Sequence, residues 1–424
     1  MGDQVLDLFP PGSTVDQATG YLTVAGVPAP ELAEAYGTPA LIVDENAVRA
    51  RARRYADGLA ARWPESRATF ASKAFPCTAV YRLLAEEGLG IDVAGGGELT
   101  LALAAGADPA GLVVHGNAKT EEELRLAVEA SAGLVVIDNF DDIDKLERIL
   151  AEPRYRGREQ GVLVRVTPDI RPDTHEAVST GQSGSKFGLL LPDAERAIAR
   201  LRGSDRLRLD GVHVHVGSQI LDTKPFAQAV EAVAALGEFD VYDLGGGLGS
   251  RYTYGDHPPT VEEYLDAVID VARRQLPSAA RILIEPGRSM VAEAGFSLYR
   301  VVSVKRSGGH TFVAVDGGMG DNLEVSLYQQ RFEATVATRV GGGEPCRLVG
   351  RHCESGDTLS ADVPLDDPRV GDLIAVPVTG AYTYSLSNNY NGARRPPVVF
   401  VRDGRHRAVV RRETYADLMR RDLP

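Results

Sequence analysis

Between residues 68 and 288, short apolar runs alternate with longer segments in which apolar residues recur at helical spacing. The runs are five to seven residues long and rich in Val, Ile and Leu, which is typical of strands buried in a parallel sheet. Eight such runs occur, at 68–73, 90–94, 112–116, 134–139, 162–167, 211–217, 241–245 and 281–285. Because eight βα units close a barrel, the pattern predicts an α/β fold, a TIM-type (β/α)8 barrel.

Two of the intervening segments carry clear helix signals. Thr120 is followed by three glutamates, which predicts a capped helix over 121–130 because the hydroxyl can accept from the first amides and the acids match the helix dipole. Residues 140–152 carry apolar positions at helical spacing.

The pattern changes after residue 296. Alternating stretches at 298–305, 311–315, 373–378 and 397–401, broken by Gly and Pro, predict a C-terminal, mostly antiparallel β-barrel or sandwich domain. The first 40 residues contain a short strand pattern at 21–24 and are predicted to join this β domain. The expected division is therefore 1–40 as an N-terminal segment, 41–296 as the barrel and 297–424 as the β domain.

Composition narrows the function classes. The chain has 424 residues, 44% hydrophobic and 25% charged, as in a globular protein of about two domains. Its net charge of -13 and the lack of a Lys/Arg block argue against nucleic acid or an anionic membrane as a partner, so a small substrate is expected.

Cysteine usage and the chain start bear on the compartment. Only Cys77, Cys346 and Cys353 occur, and this odd number fits a reducing compartment better than a disulfide scaffold. The start carries acids where a signal peptide needs basic residues, and no apolar run approaches membrane-spanning length. We therefore expect a cytoplasmic protein.

Polar residues recur where the predicted strands end. In a (β/α)8 barrel these ends converge on one cavity, which makes residues there candidates for chemistry. The set comprises Lys73, Asp92, His115, Arg165, His213, His215, Gly245, Gly246, Gly247, Glu285 and Arg288.

Two of these features have simpler interpretations. Lys73 could be an ordinary solvated lysine, but its place after an apolar strand favours a desolvated amine able to form a Schiff base. His213 and His215 share one strand face and could bind a metal. No further Cys, His or carboxylate has a recognisable zinc-site spacing, so no metal is predicted.

The glycines at 245–247 invite a nucleotide-binding interpretation, which fails because Ser250 stands where G-x-G-x-x-G needs glycine. Small residues after a barrel strand instead expose backbone N–H groups to an anion, and Ser218 can add a hydroxyl. A phosphate site, an amine, an imidazole and a carboxylate together suit pyridoxal phosphate. Glu285 would keep the pyridine nitrogen protonated, with a histidine against the ring face.

Specific motifs then connect the chain with a known family. They lie at 71–75, 91–99, 115–117, 185–188, 213–219, 245–247, 285–288, 316–319, 352–356, 380–382 and 389–391. With these motifs the chain resembles, over nearly its whole length, the fold-type III pyridoxal-phosphate-dependent decarboxylases, and most closely the diaminopimelate decarboxylases.

The resemblance implies roles for individual residues. Lys73 would bind the cofactor as a Schiff base, His215 would stack on its ring, Glu285 would meet its nitrogen, and Cys353 would return a proton to Cα. The remaining implied cofactor contacts are Asp92, Ser218, Gly245, Gly246, Gly247, Gly287, Arg288 and Tyr382. The implied substrate contacts are Arg165, Arg288, Glu324, Tyr328, Glu354 and Tyr382. The family also implies a homodimer in which Cys353 and Glu354 enter the neighbouring subunit's active site.

One departure from the family bears on the substrate. Members that take diaminopimelate have an arginine in the segment Asp-Asn-Pro-Arg-Pro-Ala-Leu-Tyr, which pairs with the distal carboxylate. Here residues 321–328 place Glu324 at that position. At ~4 Å and an effective dielectric of ~20, the change replaces roughly 4 kcal/mol of attraction by similar repulsion before relaxation. The expected result is a related substrate, with an amine or a masked or carrier-linked far end.

The alternatives stay open at this stage. Glu324 could turn to solvent while Arg331, seven residues along one helix face, binds the carboxylate. An amino-acid racemase on the same barrel is disfavoured because Glu285 would protonate the pyridine, which the related alanine racemases hold with arginine. A catalytically silent binding homologue would not need Lys73 or Cys353, and the chain retains both.

Overall fold

The computed structural model describes residues 5–170 and 184–423. They divide into two compact units. One unit comprises Arg51–Gly249 and Pro258–Ser289, and the other comprises Met1–Ala50, Ser250–His257 and Met290–Pro424. The segment 250–257, which lies inside the predicted barrel range, thus clusters with the β-rich unit.

The first unit is a closed barrel of eight parallel strands, as the sequence predicts. From the first to the eighth, the barrel strands are Ser66–Ala71, Gly90–Val93, Leu112–Val114, Leu134–Ile137, Gln160–Val166, Leu207–Val214, Val241–Asp243 and Arg281–Ile284. Each predicted run overlaps one of them, which confirms the TIM-type fold.

The barrel strands end one to three residues earlier than the apolar runs predict. The first strand ends at Ala71 and a 3-10 turn, Ser72–Ala74, follows it, so Lys73 lies in a loop. The sixth strand ends at Val214, directly before His215. Lys73 and His215 are therefore carried by the first loop residues, where the backbone has left the ladder.

Aliphatic side chains fill the barrel interior. Val113, Val136, Leu163, Val241 and Leu283 come from five strands and form one buried cluster. Full burial of such a side chain contributes about 1.5–3 kcal/mol, so this layer fixes the strands beneath the mouth.

Helices connect the barrel strands. Thr120 and Glu123 form a capping box at the start of Glu121–Glu129, which confirms the predicted start, and Asn139 caps Phe140–Leu150. The α-helices described are Ala29–Tyr36, Glu45–Arg62, Thr78–Glu86, Gly96–Ala104, Glu121–Glu129, Phe140–Leu150, Leu191–Leu201, Lys224–Ala234, Val261–Gln275, Arg288–Val291, Glu324–Tyr328 and Tyr415–Met419.

The second unit is built on a mixed sheet. Its central strand, Ala40–Asp44, pairs antiparallel with Gly295–Ser307 and parallel with Val398–Arg402. Most pairings are antiparallel, which confirms the predicted type of domain. A second parallel ladder pairs Val313 with Leu348. Its other strands are His310–Val315, Thr335–Val336, Glu344–Val349, Thr358–Leu365, Leu373–Pro377 and Arg405–Val410, and a small sheet holds Thr14–Val15, Leu22–Val24 and Val27–Pro28.

The chain's first residues contribute to the core of this unit. Phe9 and Leu22 belong to the same buried cluster as Phe296 and Val399. The rings of Phe9 and Phe296 meet edge to face with centroids 5.7 Å apart. None of the helices in the described ranges has the length and apolar character needed to cross a membrane.

Candidate active site

Glu285 directly follows the eighth barrel strand, and two histidines hold its carboxylate. Oε1 lies 2.6 Å from Nε2 of His115 as an ion pair, and Oε2 lies 3.2 Å from Nε2 of His213 in a hydrogen bond. The two imidazole rings meet edge to face, with centroids 4.8 Å apart. All three side chains are buried, so each strand end contributes one member of a closed cluster.

The charges in this cluster are unequal. Burial opposes ionisation of Glu285, but the charges and hydrogen bonds of His115 and His213 hold its pKa well below the usual range. Burial also opposes protonation of His115, yet Asp92 and Glu285 raise its pKa. For His213 burial prevails and lowers the pKa to about 4. The surroundings therefore favour an ionised Glu285, a protonated His115 and a neutral His213.

Two aspartates adjoin this cluster. Asp92 Oδ1 lies 3.7 Å from His115 Nε2, and burial raises the pKa of Asp92 to about 7. Asp243, at the end of the seventh strand, accepts from the Gly245 amide at 3.0 Å. Burial, and next the charge of Glu285, raise the pKa of Asp243 well above its usual range. The surroundings of Asp243 thus favour its protonated form.

Four of these side chains have the composition of a metal site. Potential ligand atoms of His115, His213, Asp243 and Glu285 lie within 4.8 Å of one another. The sequence paired His213 with His215 instead, and the structure gives these two different surroundings. In this cluster the Glu285 carboxylate contacts both histidines.

His215 follows the sixth strand and is partly buried. Its Nδ1 accepts a hydrogen bond of 3.2 Å from the Gly246 amide. Burial, and then the charge of Lys73, lower the pKa of His215 well below its usual value. The ring is therefore neutral and carries its proton on Nε2.

The glycine loop fits tightly between neighbouring strand ends. A Cβ on Gly245 would lie 2.3 Å from Val214 O, and one on Gly246 would lie 2.0 Å from Glu285 O. Only glycine can occupy these positions without displacing backbone. The loop therefore sets the spacing between His215 and Glu285.

The prediction that this loop exposes its amides to an anion is only partly correct. The amides of Gly245 and Gly246 donate to Asp243 and His215, at 3.0 and 3.2 Å. Side-chain acceptors reach these N–H groups first because the loop lies directly against strand ends that carry them.

Lys73 lies in the turn after the first strand, and its side chain is exposed. The exposure of Lys73 contradicts the prediction of a desolvated amine, although its charge acts on Asp92 and His215 at the barrel mouth. Its neighbour Ser72 is buried and donates to Glu98 Oε2 at 2.5 Å. The turn is therefore anchored by Ser72 while Lys73 remains accessible.

Arg288 and Ser218 meet at the same mouth. The Nε atom of Arg288 donates to Ser218 Oγ at 3.2 Å, and Arg288 is buried. Gly287 lies against the first strand, since a Cβ there would lie 3.0 Å from the Cβ of Ala71. This packing fixes the turn from Glu285 to Arg288.

Arg165 is buried on the fifth strand. Its Nη1 lies 3.5 Å from Asp138 Oδ2, and its guanidinium lies 4.5 Å from the centre of the Phe187 ring. Asp138 also accepts from the Gly188 amide at 3.0 Å. Arg165 thus anchors the segment around Phe187, a role that the sequence analysis did not anticipate.

The β-rich unit carries the other predicted site residues. Cys353 is exposed and its amide donates to Asn391 Oδ1 at 3.1 Å. Glu354, also exposed, accepts a hydrogen bond from the Tyr390 hydroxyl. Tyr382 is partly buried and has a left-handed backbone, with φ at 61°.

Glu324 lies at the start of the short helix Glu324–Tyr328, on which Tyr328 is partly buried. Its exposure is 0%, so the alternative in which it turns to solvent is wrong. Arg331 is not on the same helix, because the left-handed Gln329, with φ at 55°, ends it. The proposed replacement of the family's arginine by Arg331 along one helix face is therefore also wrong.

Comparison with known proteins decides the family. Residues 45–292 match the pyridoxal-binding domain of the pyridoxal-dependent decarboxylases. The chain belongs to this family. Diaminopimelate decarboxylase of Actinosynnema pretiosum subsp. auranticum is 45% identical, over 98% of this chain and 95% of its own. The enzyme of that name from Bacillus subtilis (strain 168) is 42% identical over 98% of both chains.

Solved structures agree with the sequence relatives. The diaminopimelate decarboxylase from M. jannaschii, in complex with L-lysine, has a TM-score of 0.90 and 30% identity, with 98% of each chain covered. The protein is thus a fold-type III, pyridoxal-phosphate-dependent amino-acid decarboxylase, as the sequence predicted.

The decarboxylase mouth fits pyridoxal phosphate in its donor set. It offers an accessible amine at Lys73, an ionised carboxylate at Glu285 and a neutral imidazole at His215. An ionised carboxylate is the partner that a protonated pyridine nitrogen needs. The buried Arg288 adds a cation for an anionic group.

Several participants in the decarboxylase mouth escaped the sequence analysis. Asp243 is the last residue of the seventh strand and Asp138 directly follows the fourth, so the strand-end rule that selected Asp92 could have found them. Lys119 is buried and pairs with Asp142 at 2.7 Å. Nothing in the local sequence marks this pair, because the two residues meet only through packing of neighbouring βα units.

Proposed function

We propose that this decarboxylase removes the α-carboxylate of an amino acid whose far end is not a carboxylate. The observation that carries the proposal is the burial of Glu324, at 0% exposure, in the segment where the resemblance expects an arginine. A buried carboxylate repels a second one strongly, because solvent screens the pair little. An amine or an uncharged group at the far end avoids this repulsion.

In this proposal the barrel residues hold and orient the cofactor. Lys73 would bind it covalently through its accessible amine, and Glu285 would accept from the ring nitrogen. When bound, pyridoxal phosphate withdraws electrons from Cα, which lets the bond to the carboxylate break. Glu285 favours this because His115 and His213 keep it ionised and fixed.

The remaining barrel residues would fix the cofactor ring and the anionic groups. The neutral His215 would lie against the ring face without adding a charge. Asp92, Ser218, the loop of glycines at 245–247 and Gly287 would line the cofactor site. Arg288, with Ser218 on its Nε, would bind a carboxylate or a phosphate. Arg165 would support this mouth from its pair with Asp138.

Residues of the β-rich unit would complete the reaction. The exposed Cys353 would return a proton to Cα, and Glu354 with Tyr328 would contact the substrate's far end. Tyr382 would reach the phosphate. We propose that Cys353 and Glu354 act in the partner subunit of a homodimer, because the family resemblance implies shared sites.

The substrate proposal can be tested by carbon dioxide release from meso-diaminopimelate, lysine, ornithine, arginine and glutamyl derivatives. We expect wild type to prefer a substrate without a distal carboxylate, by at least about tenfold in kcat/KM. Glu324→Arg should shift this preference toward meso-diaminopimelate, whereas Glu324→Gln should remove the repulsion without adding attraction. Preference of wild type for meso-diaminopimelate would show that the inference from Glu324 is wrong.

The subunit proposal has a separate test. Lys73→Ala and Cys353→Ala should each be inactive or slow alone, with no cofactor fixed by borohydride in the Lys73 variant. Mixed after dissociation, they should regain up to about a quarter of wild-type activity, since half the dimers carry one intact site of two. No recovery from a verified mixture would contradict shared sites, and racemisation without carbon dioxide release would contradict the assigned chemistry.

A further inference from the structure

The β-rich unit contains a cavity that none of the assigned roles uses. Its volume is about 600 Å³, and part of it opens to solvent. It is lined by Thr38, Pro39, Asp316, Asp321, Arg351, His352, Gly392, Ala393, Arg394, Arg412 and Tyr415. Three arginines and a histidine thus converge on one concavity in a chain whose net charge is -13.

The three arginines lack carboxylate partners. Within the described residues, Arg351 makes no side-chain hydrogen bond or ion pair, and Arg394 contacts only the face of Tyr415, 4.6 Å from its centre. Arg412 donates from Nη2 to the carbonyls of Tyr36 and Pro39, at 3.1 and 2.7 Å. With three arginines against Asp316 and Asp321, the cavity wall carries an excess of positive charge.

The two aspartates in the wall are occupied by other donors. Asp316 accepts from Thr38 Oγ1 at 2.6 Å and from the Arg300 amide at 2.8 Å. Asp321 accepts from the Tyr299 hydroxyl at 2.7 Å and from the Gly318 amide at 3.0 Å.

The pKa values of residues in the cavity wall agree with an excess of positive charge there. Burial raises the pKa of Asp321 to about 7, so part of its charge is absent at neutral pH. The pKa of Arg412 is lowered, first by burial and then by the charge of Arg394. Asp316 and Asp321 act in the opposite direction on this pKa without reversing it, so a further anion beside Arg412 and Arg394 would be favourable.

His352 supplies an independent sign of a ligand. Only 7% of its surface is exposed, and its Nε2 accepts a hydrogen bond from the Gly320 amide at 3.1 Å. Because Nε2 accepts, Nδ1 is the nitrogen that carries a proton, and this atom has no hydrogen-bond partner in the described part of the chain. A buried donor without an acceptor is unfavourable, and His352 is among the residues that line the cavity.

We propose that this cavity binds a small oxyanion, a phosphate or a carboxylate, through Arg351, Arg394 and Arg412. Planar guanidinium groups suit both, since each can donate two parallel hydrogen bonds. The site adjoins Cys353 in sequence through His352, and Gly392 follows Asn391, which holds the Cys353 amide. A bound anion would therefore tie together the two loops that position Cys353.

The test is calorimetric titration of the cofactor-loaded enzyme, in chloride buffer, with inorganic phosphate and with malonate. We expect one saturable site per chain. The dissociation constant should rise at least tenfold in the double variant Arg351→Gln/Arg394→Gln. The control Arg306→Gln/Arg420→Gln removes the same charge at exposed positions outside the cavity and should stay within twofold of wild type. Tighter phosphate binding would identify phosphate esters as ligands, and tighter malonate binding would identify carboxylates.

Two outcomes would overturn the proposal. If anion binding weakens equally in both double variants, the effect comes from the overall charge of the protein and not from the cavity. Absence of saturable binding in wild type would exclude the site. Because Arg351 and Arg394 are exposed, both variants are expected to fold, and unchanged melting temperatures would verify this. No substrate is needed, so the result does not depend on the substrate proposed above.

Discussion

Nε2 of His115 and Oε1 of Glu285 are 2.6 Å apart at the mouth of the barrel, although 170 residues separate them in the sequence. This contact gives Glu285 a charged partner inside a buried cluster. A carboxylate buried without one would become protonated and could no longer accept from a ring nitrogen. The cationic state of His115 is therefore a condition for the proposed role of Glu285.

Replacing His115 should move the acidic limb of activity. The depressed pKa of Glu285 means that its favourable charge is present above its unfolded pKa and is lost as the pH falls through the folded pKa. His115→Gln removes the nearest cation, so that loss should occur at higher pH. We expect the acidic limb of kcat/KM to move upward and the value at neutral pH to fall on the order of tenfold.

His310→Gln is a suitable control, because His310 is exposed in the other unit. The pH profile of kcat/KM, measured beside cofactor absorbance, separates this effect from general damage. An unmoved acidic limb in His115→Gln would contradict the charge pairing.

Gly246→Ala should damage both stability and cofactor binding. Its methyl group would lie 2.0 Å from the Glu285 carbonyl oxygen, so one of the two backbones must move. We expect a loss of roughly 3 kcal/mol or more in the free energy of unfolding, measured by urea denaturation.

Gly97→Ala provides the matched control. Gly97 lies in the helix Gly96–Ala104 with no atom within 4 Å of an added Cβ. Alanine there should stabilise the helix by up to about 1 kcal/mol. Equal effects of the two substitutions would show that the glycine loop is not tightly packed.

Cys353→Ala should slow turnover without preventing cofactor attachment. The exposed thiol is the proposed donor to Cα, and its loss should reduce kcat by about 100-fold. Reaction in deuterium oxide would report whether the proton still reaches one face of Cα. Cys353→Ser keeps the size but donates less readily, so it should fall between wild type and alanine; wild-type rates in both variants would exclude the role.

Asp321 should make the protein less stable as the pH rises. Its folded pKa of about 7 lies above the ordinary 3.8, so its stabilisation is present below about pH 4 and is lost as the pH rises through 7. At about 1.4 kcal/mol per tenfold change, the loss is on the order of 4 kcal/mol. Asp321→Asn should flatten the dependence of unfolding free energy between pH 4 and 8; an equally steep dependence would contradict this.

The sequence predicted the barrel because parallel strands buried on both faces must be apolar, and Val241 or Leu283 can be recognised from neighbours alone. The same rule located Glu285, since a charged residue directly after such a strand must face the mouth or solvent. The partners of Glu285 were not predictable. Which histidine meets which oxygen depends on strand register and stagger, and these follow from closure of the whole barrel.

Exposure was the other quantity that the pattern could not supply. Lys73 was expected to be desolvated, but it is exposed. One alternative expected Glu324 to be solvated, but it is buried. Lys73 lies in the 3-10 turn Ser72–Ala74, and Glu324 lies at the start of a helix that the left-handed Gln329 ends. Such turns depend on tertiary contacts more than on local sequence.

The central strand of the β-rich unit, Ala40–Asp44, has consequences for synthesis. Its parallel neighbour, Val398–Arg402, leaves the ribosome more than 350 residues later. Until then the early strand has one edge without its native partner, while the intervening barrel already contains all its own strands and can fold first. Nascent chains should therefore pass through a stage with a finished barrel and an unpaired, aggregation-prone strand edge, which makes this strand a natural target for a chaperone.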